Sequence, residues 1–215
     1  PHRWSGLPLT LVLTAAVYLA ALLGQLIEEL HESRHVIALD DTITQWVAPY
    51  RQEPLLTLFV WITDLGASPA IVGIALATSG LFWALRRHGQ ILPMWVAVLG
   101  AQITTYLGKF TVDRARPEFL TGVTAMTPSF PSGHATAAMA LYGFIAYLIA
   151  RERRRTRERF EIGYWSLVLI GLVGFSRIFL SVHYASDVAS GFLVGGFWLL
   201  VAITLAERHR ARYAA

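Results

Sequence analysis

Two histidines and one aspartate in the second half of the chain have types and spacing suited to phosphoryl chemistry. His183 and Asp187 are four residues apart, so their side chains can meet on a helical turn. An imidazole held by a carboxylate can act as a nucleophile, because the carboxylate orients the ring and stabilises the charge that forms on it. His134 would lie across a bound phosphoryl group, where in-line displacement needs an acid for the leaving oxygen.

Cationic and hydrogen-bonding groups accompany these three residues. Arginine binds phosphate oxygens in a bidentate manner, and lysine adds a point charge. A Ser-Gly pair comes directly before His134 at the start of a predicted helix, whose N-terminus offers free N–H groups and partial positive charge. Three cations that lie close together, here one lysine and two arginines, require an anion. The predicted phosphate-binding residues are Lys109, Arg116, Ser132, Gly133 and Arg177.

The elements that position these residues are predicted to be membrane helices. Hydrophobic residues make up 55% of the chain and charged residues only 15%, whereas soluble domains carry roughly 25% charged residues. This balance excludes a disordered chain and argues against a water-soluble one. Six apolar stretches approach the length of about 20 residues that a transmembrane helix needs. They are residues 7–27, 68–85, 91–110, 133–150, 162–180 and 187–206.

The predicted fold class is therefore all-α, a polytopic membrane protein with six transmembrane helices in a bundle. Lipid requires backbone groups to be satisfied internally, and no alternating strand pattern competes. A shorter apolar stretch, residues 55–65, is predicted to be a helix that lies at the interface or packs on the bundle. We expect a single domain over residues 1–215, within a chain that can be longer because it begins with Pro1.

The distribution of basic residues predicts the orientation. With the N-terminus in the cytoplasm, 12 of the 18 basic residues fall in cytoplasmic segments, including all six arginines of the stretch 151–159. Both termini are then cytoplasmic, and the candidate site residues lie at the outer ends of their helices. A nucleic-acid patch at residues 151–159 is disfavoured, because a short basic loop is the expected topology signal.

Two further features have a structural interpretation. The polar outer loop, residues 28–67, is predicted to be a solvated amphipathic cap, with a lid over the substrate as the alternative. Gly191 and Gly195 form a Gly-x-x-x-Gly pair, which is typical of close helix packing.

The three segments that carry the candidate residues, 109–117, 131–134 and 176–187, together resemble the three-part signature of the type-2 phosphatidic acid phosphatase superfamily. This superfamily includes membrane lipid phosphatases and, as soluble relatives, vanadium haloperoxidases and bacterial acid phosphatases. The resemblance implies that His183 attacks phosphorus and forms a phosphohistidine, that Asp187 orients His183, and that His134 protonates the leaving oxygen. It leaves the roles of Asp113, Arg114 and Ser176 open.

The resemblance implies a metal-independent lipid phosphatase without a cofactor, in a bacterial inner membrane with its site at the periplasmic face. Zinc held by His134, His183 and Asp187 is conceivable, but three nearby cations argue against a divalent ion. The candidate substrates are undecaprenyl diphosphate, phosphatidylglycerophosphate, phosphatidic acid and lipid A 1-phosphate. The predicted partners are such a lipid and the bilayer, and no nucleic acid.

Two other functions stay open at this point. A phosphotransferase would pass the phosphoryl group from the histidine to a lipid or sugar instead of water. A membrane protein that binds or transports an anion would use the three cations, but it would not need two histidines and an aspartate. A haloperoxidase is disfavoured, because those relatives are soluble and this chain has six predicted spans.

Overall fold

A computed structural model describes residues 9–32, 34–117 and 127–214, and this part of the chain is helical, with no β-strand. The helices are α1 (Leu9–Glu32), α2 (Arg34–Val47), α3 (Leu55–Asp64), α4 (Ser68–Ala84), α5 (Ile91–Val112), α6 (Gly133–Glu152), α7 (Thr156–Phe179) and α8 (Ala185–Ala214). Leu7, the predicted start of the first span, lies outside the described residues.

Five helices in this part of the chain are long and apolar enough to cross a membrane: α1, α5, α6, α7 and α8. Helices α3 and α4 together form a sixth candidate span, bent by 45° at the short break between them. The predicted all-α membrane fold is therefore confirmed, with five candidate spans in the described residues, or six if α3 and α4 are counted as one bent span. The cytoplasmic position of the termini stays a prediction.

Several helices extend beyond the predicted apolar stretches. Helix α7 begins at Thr156 rather than at residue 162, and α8 continues to Ala214. Surface ion pairs lie on these polar extensions, Arg157 with Glu161 and Arg210 with Glu207. Hydropathy marks only the part of a helix that lies in lipid, whereas helical hydrogen bonding continues into water.

Helix α6 is the centre of the bundle and packs against α4, α5, α7 and α8. Its alanine-rich surface lets neighbouring helices come close, and Gly191 and Gly195 of α8 lie against it. A Cβ atom added at Gly195 would lie 2.5 Å from the carbonyl oxygen of Thr136. Small residues favour such close packing in lipid. Lipid tails are as apolar as large side chains, so bulky apolar residues give helices no hydrophobic reason to associate. The interpretation of the glycine pair as a packing motif is confirmed.

The segment between α1 and α4, the outer segment of the predicted topology, packs on the end of α7. Phe59 of α3 stacks on Phe179, with ring centroids 4.2 Å apart. Arg51 donates hydrogen bonds to the carbonyl oxygens of Phe179 and Ile178, at 2.8 and 3.2 Å. The last carbonyls of a helix have no partner within it, and Ile178 also accepts a hydrogen bond from the backbone N–H of Ser181, so Arg51 and the following turn together cap α7. Much of the predicted polar loop is thus helical and fixed to the bundle.

Candidate active site

The ends of α5 and α7 and the beginnings of α6 and α8 meet at one end of the bundle. Lys109 lies in the last turn of α5 and Arg177 in the last turn of α7. His134 and Asp187 lie in the first turns of α6 and α8. The charged residues that were predicted to share one membrane face therefore lie together at this end of the bundle.

His183 and Asp187 face each other across the turn between α7 and α8. Nδ1 of His183 is 3.5 Å from Oδ2 of Asp187, and both side chains are buried. The same Asp187 oxygen accepts a hydrogen bond from the backbone N–H of Tyr184, at 2.9 Å. This contact resembles the carboxylate half of a capping box at the start of α8. One carboxylate thus fixes both the helix start and the imidazole.

The α7–α8 turn places His183 through backbone hydrogen bonds. The N–H groups of Val182 and His183 both donate to the carbonyl oxygen of Arg177, at 3.1 and 3.2 Å. Ser181 has φ 55°, in the left-handed region that a non-glycine residue rarely adopts. The reversal directs the His183 ring into the protein interior rather than towards solvent.

Burial lowers the pKa of His183 from its ordinary value of 6.5 to about 4, against the opposing effect of Asp187. The ring is therefore neutral at neutral pH and keeps a lone pair on one nitrogen. Since Nδ1 faces the carboxylate, Nε2 is the nitrogen available for attack. A neutral imidazole of this kind is a competent nucleophile.

Arg116 and Lys109 lie on the Nε2 side of this ring. Nη1 of Arg116 is 3.2 Å from Nε2 of His183 and donates to the carbonyl oxygen of Val182 at 2.7 Å. Lys109 Nζ donates to the carbonyl oxygen of Pro128 at 2.6 Å, and Arg116 reaches the same oxygen at 3.3 Å. Arg116 thus lies beside the nitrogen that would attack phosphorus, and Lys109 lies next to Arg116 on their shared carbonyl partner.

The start of α6 completes the cluster. Gly133 is the first residue of the helix, and the backbone N–H of Ser132 donates to the carbonyl oxygen of Asp187, at 2.9 Å. His134 lies close enough to interact electrostatically with His183 and with the three cations Lys109, Arg116 and Arg177. The structure therefore brings all eight candidate residues together.

Two buried polar atoms in this cluster have no hydrogen-bond partner within the described residues, the Ser132 hydroxyl and Nε of Arg177. Buried polar groups are normally satisfied, so such atoms call for an explanation. Nη1 of Arg177 donates to Thr63 Oγ1 of α3 at 2.6 Å, which fixes the guanidinium while Nε stays free. Both atoms are suited to bind phosphoryl oxygens.

Three features of the site were missed by sequence reasoning. The Ser129 hydroxyl donates to Oδ2 of Asp187 and lies 3.4 Å from Nδ1 of His183. Thr63 reaches Arg177 from the outer segment. Gly66 lies against His134, since an added Cβ would be 3.1 Å from the Cβ of that histidine. Only Ser129 had a local signal, because it stands three residues before Ser132.

The described residues contain no group of three or more histidine, cysteine or acidic side chains arranged to hold a metal ion. His134, His183 and Asp187, the residues on which a zinc site was conceivable, do not form such a group in this part of the chain. Instead, cationic side chains surround the histidines, and this donor set fits an anion.

The sequence and fold are similar to those of known phosphatases. Phosphatidylglycerophosphatase B of Bacillus subtilis is 30% identical over 158 residues, which cover 73% of this chain and 77% of that protein. Lipid A 1-phosphatase of Rhizobium etli is 31% identical over 125 residues, 53% of this chain and 50% of that protein. The crystal structure of a transmembrane PAP2-type phosphatidylglycerolphosphate phosphatase from Bacillus subtilis superimposes with a TM-score of 0.82 at 26% identity, covering 90% of this chain and 96% of that one.

The family model of the PAP2 superfamily matches residues 90–211, which contain all eight candidate site residues. This match covers more than half of the chain, and the apolar helices agree with the transmembrane structure. The resemblance inferred from the three motifs is therefore confirmed. This chain belongs to the PAP2 superfamily and is an integral-membrane phosphoric ester hydrolase.

Proposed function

We propose that this enzyme is a metal-independent lipid phosphatase that hydrolyses a phosphomonoester or diphosphate of a membrane lipid through a phosphohistidine at His183. The observation that carries the proposal is the orientation of the His183 ring. Nδ1 faces Asp187 at 3.5 Å, and Nε2 faces Arg116 at 3.2 Å. A nucleophilic nitrogen beside a cation and a carboxylate behind the ring suit attack on a phosphoryl group.

In the first step, the Nε2 lone pair of His183 attacks phosphorus and the bond to the lipid oxygen breaks. Protonated His134 gives its proton to that oxygen, so the lipid leaves as an alcohol or a monophosphate. The phosphorylated imidazole carries positive charge, which Asp187 stabilises. Arg116 moves from Nε2 to the phosphoryl oxygens, together with Lys109 and Arg177.

In the second step, water attacks the phosphorus and gives a proton to His134. The P–N bond breaks, inorganic phosphate leaves, and neutral His183 is restored. Free N–H groups at the start of α6 and the Ser132 hydroxyl stabilise the oxygens in both transition states. The cationic set supplies charge stabilisation, so the steps require no metal ion.

The substrate is proposed to be a lipid because the site lies at the end of membrane helices. The relatives named above are phosphatases of phosphatidylglycerophosphate and of lipid A. A headgroup phosphate lies at the membrane interface, at the depth where the charged helix ends converge. We include undecaprenyl diphosphate and phosphatidic acid in the same substrate class.

The outer, periplasmic face of a bacterial inner membrane is the proposed location. The basic segments after α4, after α6 and at the end of α8 lie at the end of the bundle opposite the site. Arg87 there pairs with Glu152, and Arg151 with Glu207. Positive charge marks the cytoplasmic side of membrane proteins, which supports an outward-facing site.

The test is phosphate release by detergent-purified protein, with chelator present, from the four lipids phosphatidylglycerophosphate, undecaprenyl diphosphate, phosphatidic acid and lipid A. We expect release from at least one lipid, lost in His183→Ala and kept in the matched control His35→Ala, whose ring is exposed on α2. Release from no lipid, or near-normal release by His183→Ala, would contradict the proposal. Transfer of the phosphoryl group to an added alcohol in preference to water would favour a phosphotransferase.

A further inference from the structure

Asp40 is a buried carboxylate in the outer segment, where its helical neighbours are mostly exposed. Only 1% of its surface is accessible. Oδ1 accepts a hydrogen bond from the backbone N–H of Ser186 at 2.9 Å, and Oδ2 accepts one from the Ser186 hydroxyl. Burial of a carboxylate is costly unless it is paired. Asp40 therefore has a specific partner, and that partner is Arg114.

Arg114 joins Asp40 to the carboxylate behind the candidate nucleophile. Nη2 donates to Oδ2 of Asp40 at 2.7 Å, and Nη1 donates to Oδ1 of Asp187 at 2.8 Å. The guanidinium also lies over the ring of Tyr184, 4.2 Å from its centroid. Burial lowers the pKa of Arg114, but Asp187 and Asp40 together raise it above its ordinary value. This arginine is held as a cation between two carboxylates.

Arg114 determines which oxygen of Asp187 is left for the imidazole. Because Oδ1 is bound to the guanidinium, Oδ2 is the oxygen that faces His183, the Ser129 hydroxyl and the Tyr184 N–H. In the part of the chain that the structure describes, the side-chain contacts of Arg114 are to Asp40, Ser186, Asp187 and Tyr184, and none is to a predicted phosphate-binding residue. It acts on the carboxylate and not on the substrate.

The charges of this cluster also favour a cationic ring. Asp40, Arg114 and Asp187 carry one net negative charge while His183 is neutral. When the ring becomes positive, the net charge of the four groups is zero. Without Asp40, Arg114 would neutralise Asp187 fully, and less negative charge would remain to stabilise a positive ring beside the cation Arg116. A positive charge is disfavoured in a buried, already neutralised site.

We propose that Asp40 is a positioning residue for the phosphatase reaction, which acts through Arg114 to keep Asp187 oriented and negatively charged towards His183. The outer segment then has a role in catalysis beyond covering the bundle. This inference rests on the proposed function, because it assumes that His183 is the nucleophile.

The test compares Asp40→Asn with Asp41→Asn, the same chemical change at the adjacent, exposed residue of α2. For Asp40→Asn we expect kcat to fall roughly 10- to 100-fold, the range for a lost hydrogen bond to a charged group. KM for a short-chain phosphatidic acid should stay within about twofold, because Asp40 does not contact the substrate. Asp41→Asn should keep the wild-type kcat.

The second measurement repeats Asp40→Asn in an Arg114→Gln background. If Asp40 acts through Arg114, its replacement there should change kcat by less than about threefold. An equal loss in both backgrounds, or a wild-type kcat for Asp40→Asn, would overturn the inference. Thermal unfolding in detergent identifies any variant that is poorly folded. For such a variant, the effect of Asp40→Asn on kcat is compared between the wild-type and Arg114→Gln backgrounds, and this ratio tests whether Asp40 acts through Arg114.

His183→Ala is measured in parallel to separate the two proposals. If His183→Ala is inactive and Asp40→Asn has the wild-type kcat, the positioning role is wrong while the proposed function stands. If His183→Ala keeps near-normal turnover, the proposed function itself fails.

Discussion

The close contact of α8 with α6 makes Gly191 a sensitive test of how the helices assemble the site. A Cβ atom added at Gly191 would lie 2.6 Å from the carbonyl oxygen of Ser132 and 3.0 Å from Cβ of Ala135. Real Cβ contacts are essentially never shorter than 3.0 Å and ordinary ones begin at 3.4 Å, so the Ser132 carbonyl and α8 have to move apart by about half an ångström or more. The obstacle is backbone, which cannot rotate away as a side chain can.

The expected effect of Gly191→Ala on stability follows from two opposing terms. Overpacking costs about 1–3 kcal/mol, and replacing a helical glycine by alanine returns about 0.5–1 kcal/mol. The net loss should be about 1–2 kcal/mol. The effect on activity should be larger, because a displacement of about 1 Å in a catalytic site can cost on the order of 100-fold. Ser132 and the N-terminus of α6 are the groups that move.

The assay is kcat/KM for phosphate release from phosphatidylglycerophosphate in micelles, together with the thermal unfolding midpoint. Gly171→Ala is the matched control, since an added Cβ there meets no atom within 4 Å. It should keep the wild-type activity, and its unfolding midpoint should stay the same or rise slightly, because it has the helix-propensity gain without the overpacking. If Gly191→Ala has the kcat/KM and unfolding midpoint of the wild type, the close α6–α8 contact does not position the site as described.

Three further predictions concern single interactions of the site. Thr63→Val removes the hydroxyl that accepts a hydrogen bond from Arg177. The value of kcat/KM should fall about tenfold, which is the effect of losing one charge-assisted hydrogen bond. An unchanged kcat/KM would refute a role for α3 in the site. The pKa of buried His183 is about 4 rather than 6.5, so between these pH values the unfolded chain binds a proton that the folded protein does not. The free energy of unfolding should therefore be highest above pH 6.5 and should decrease as the pH falls towards 4. His183→Gln should show a smaller fall in unfolding midpoint between pH 7 and 4.5, and equal falls would contradict this. Excess chelator should leave phosphate release within about twofold, whereas strong inhibition reversed by zinc or magnesium would indicate a metal mechanism.

The membrane helices and the site motifs could be predicted from the sequence because both depend on local chemistry. Lipid requires continuous helical hydrogen bonding, so apolar length alone located α4, α5 and α6 to within about two residues. The catalytic candidates lie at helix ends, and the common orientation of the spans places those ends on one face. The spacing of His183 and Asp187 likewise depends only on a single turn.

The contributions of the outer segment could not be predicted, because they depend on contacts that are distant in sequence. Asp40 meets Arg114 across 74 residues, and Thr63 meets Arg177 across 114. Residues 28–67 are polar enough to predict a solvated cap, and nothing in the local sequence distinguishes the charged residue that becomes buried from those that stay exposed. The bend between α3 and α4 was also missed, since each helix is short when judged by hydropathy alone.

The most direct measurement of the central claim is rapid quenching of the enzyme with lipid substrate carrying a labelled phosphate. The quench must be alkaline, because a phosphohistidine is stable in base and labile in acid. We predict a labelled enzyme whose phosphate maps to the peptide containing His183, and its absence in His183→Ala. In His134→Ala, which lacks the residue proposed to activate water, the label should persist longer. Full phosphate turnover with no labelled histidine, or with the label on another residue, would contradict the mechanism.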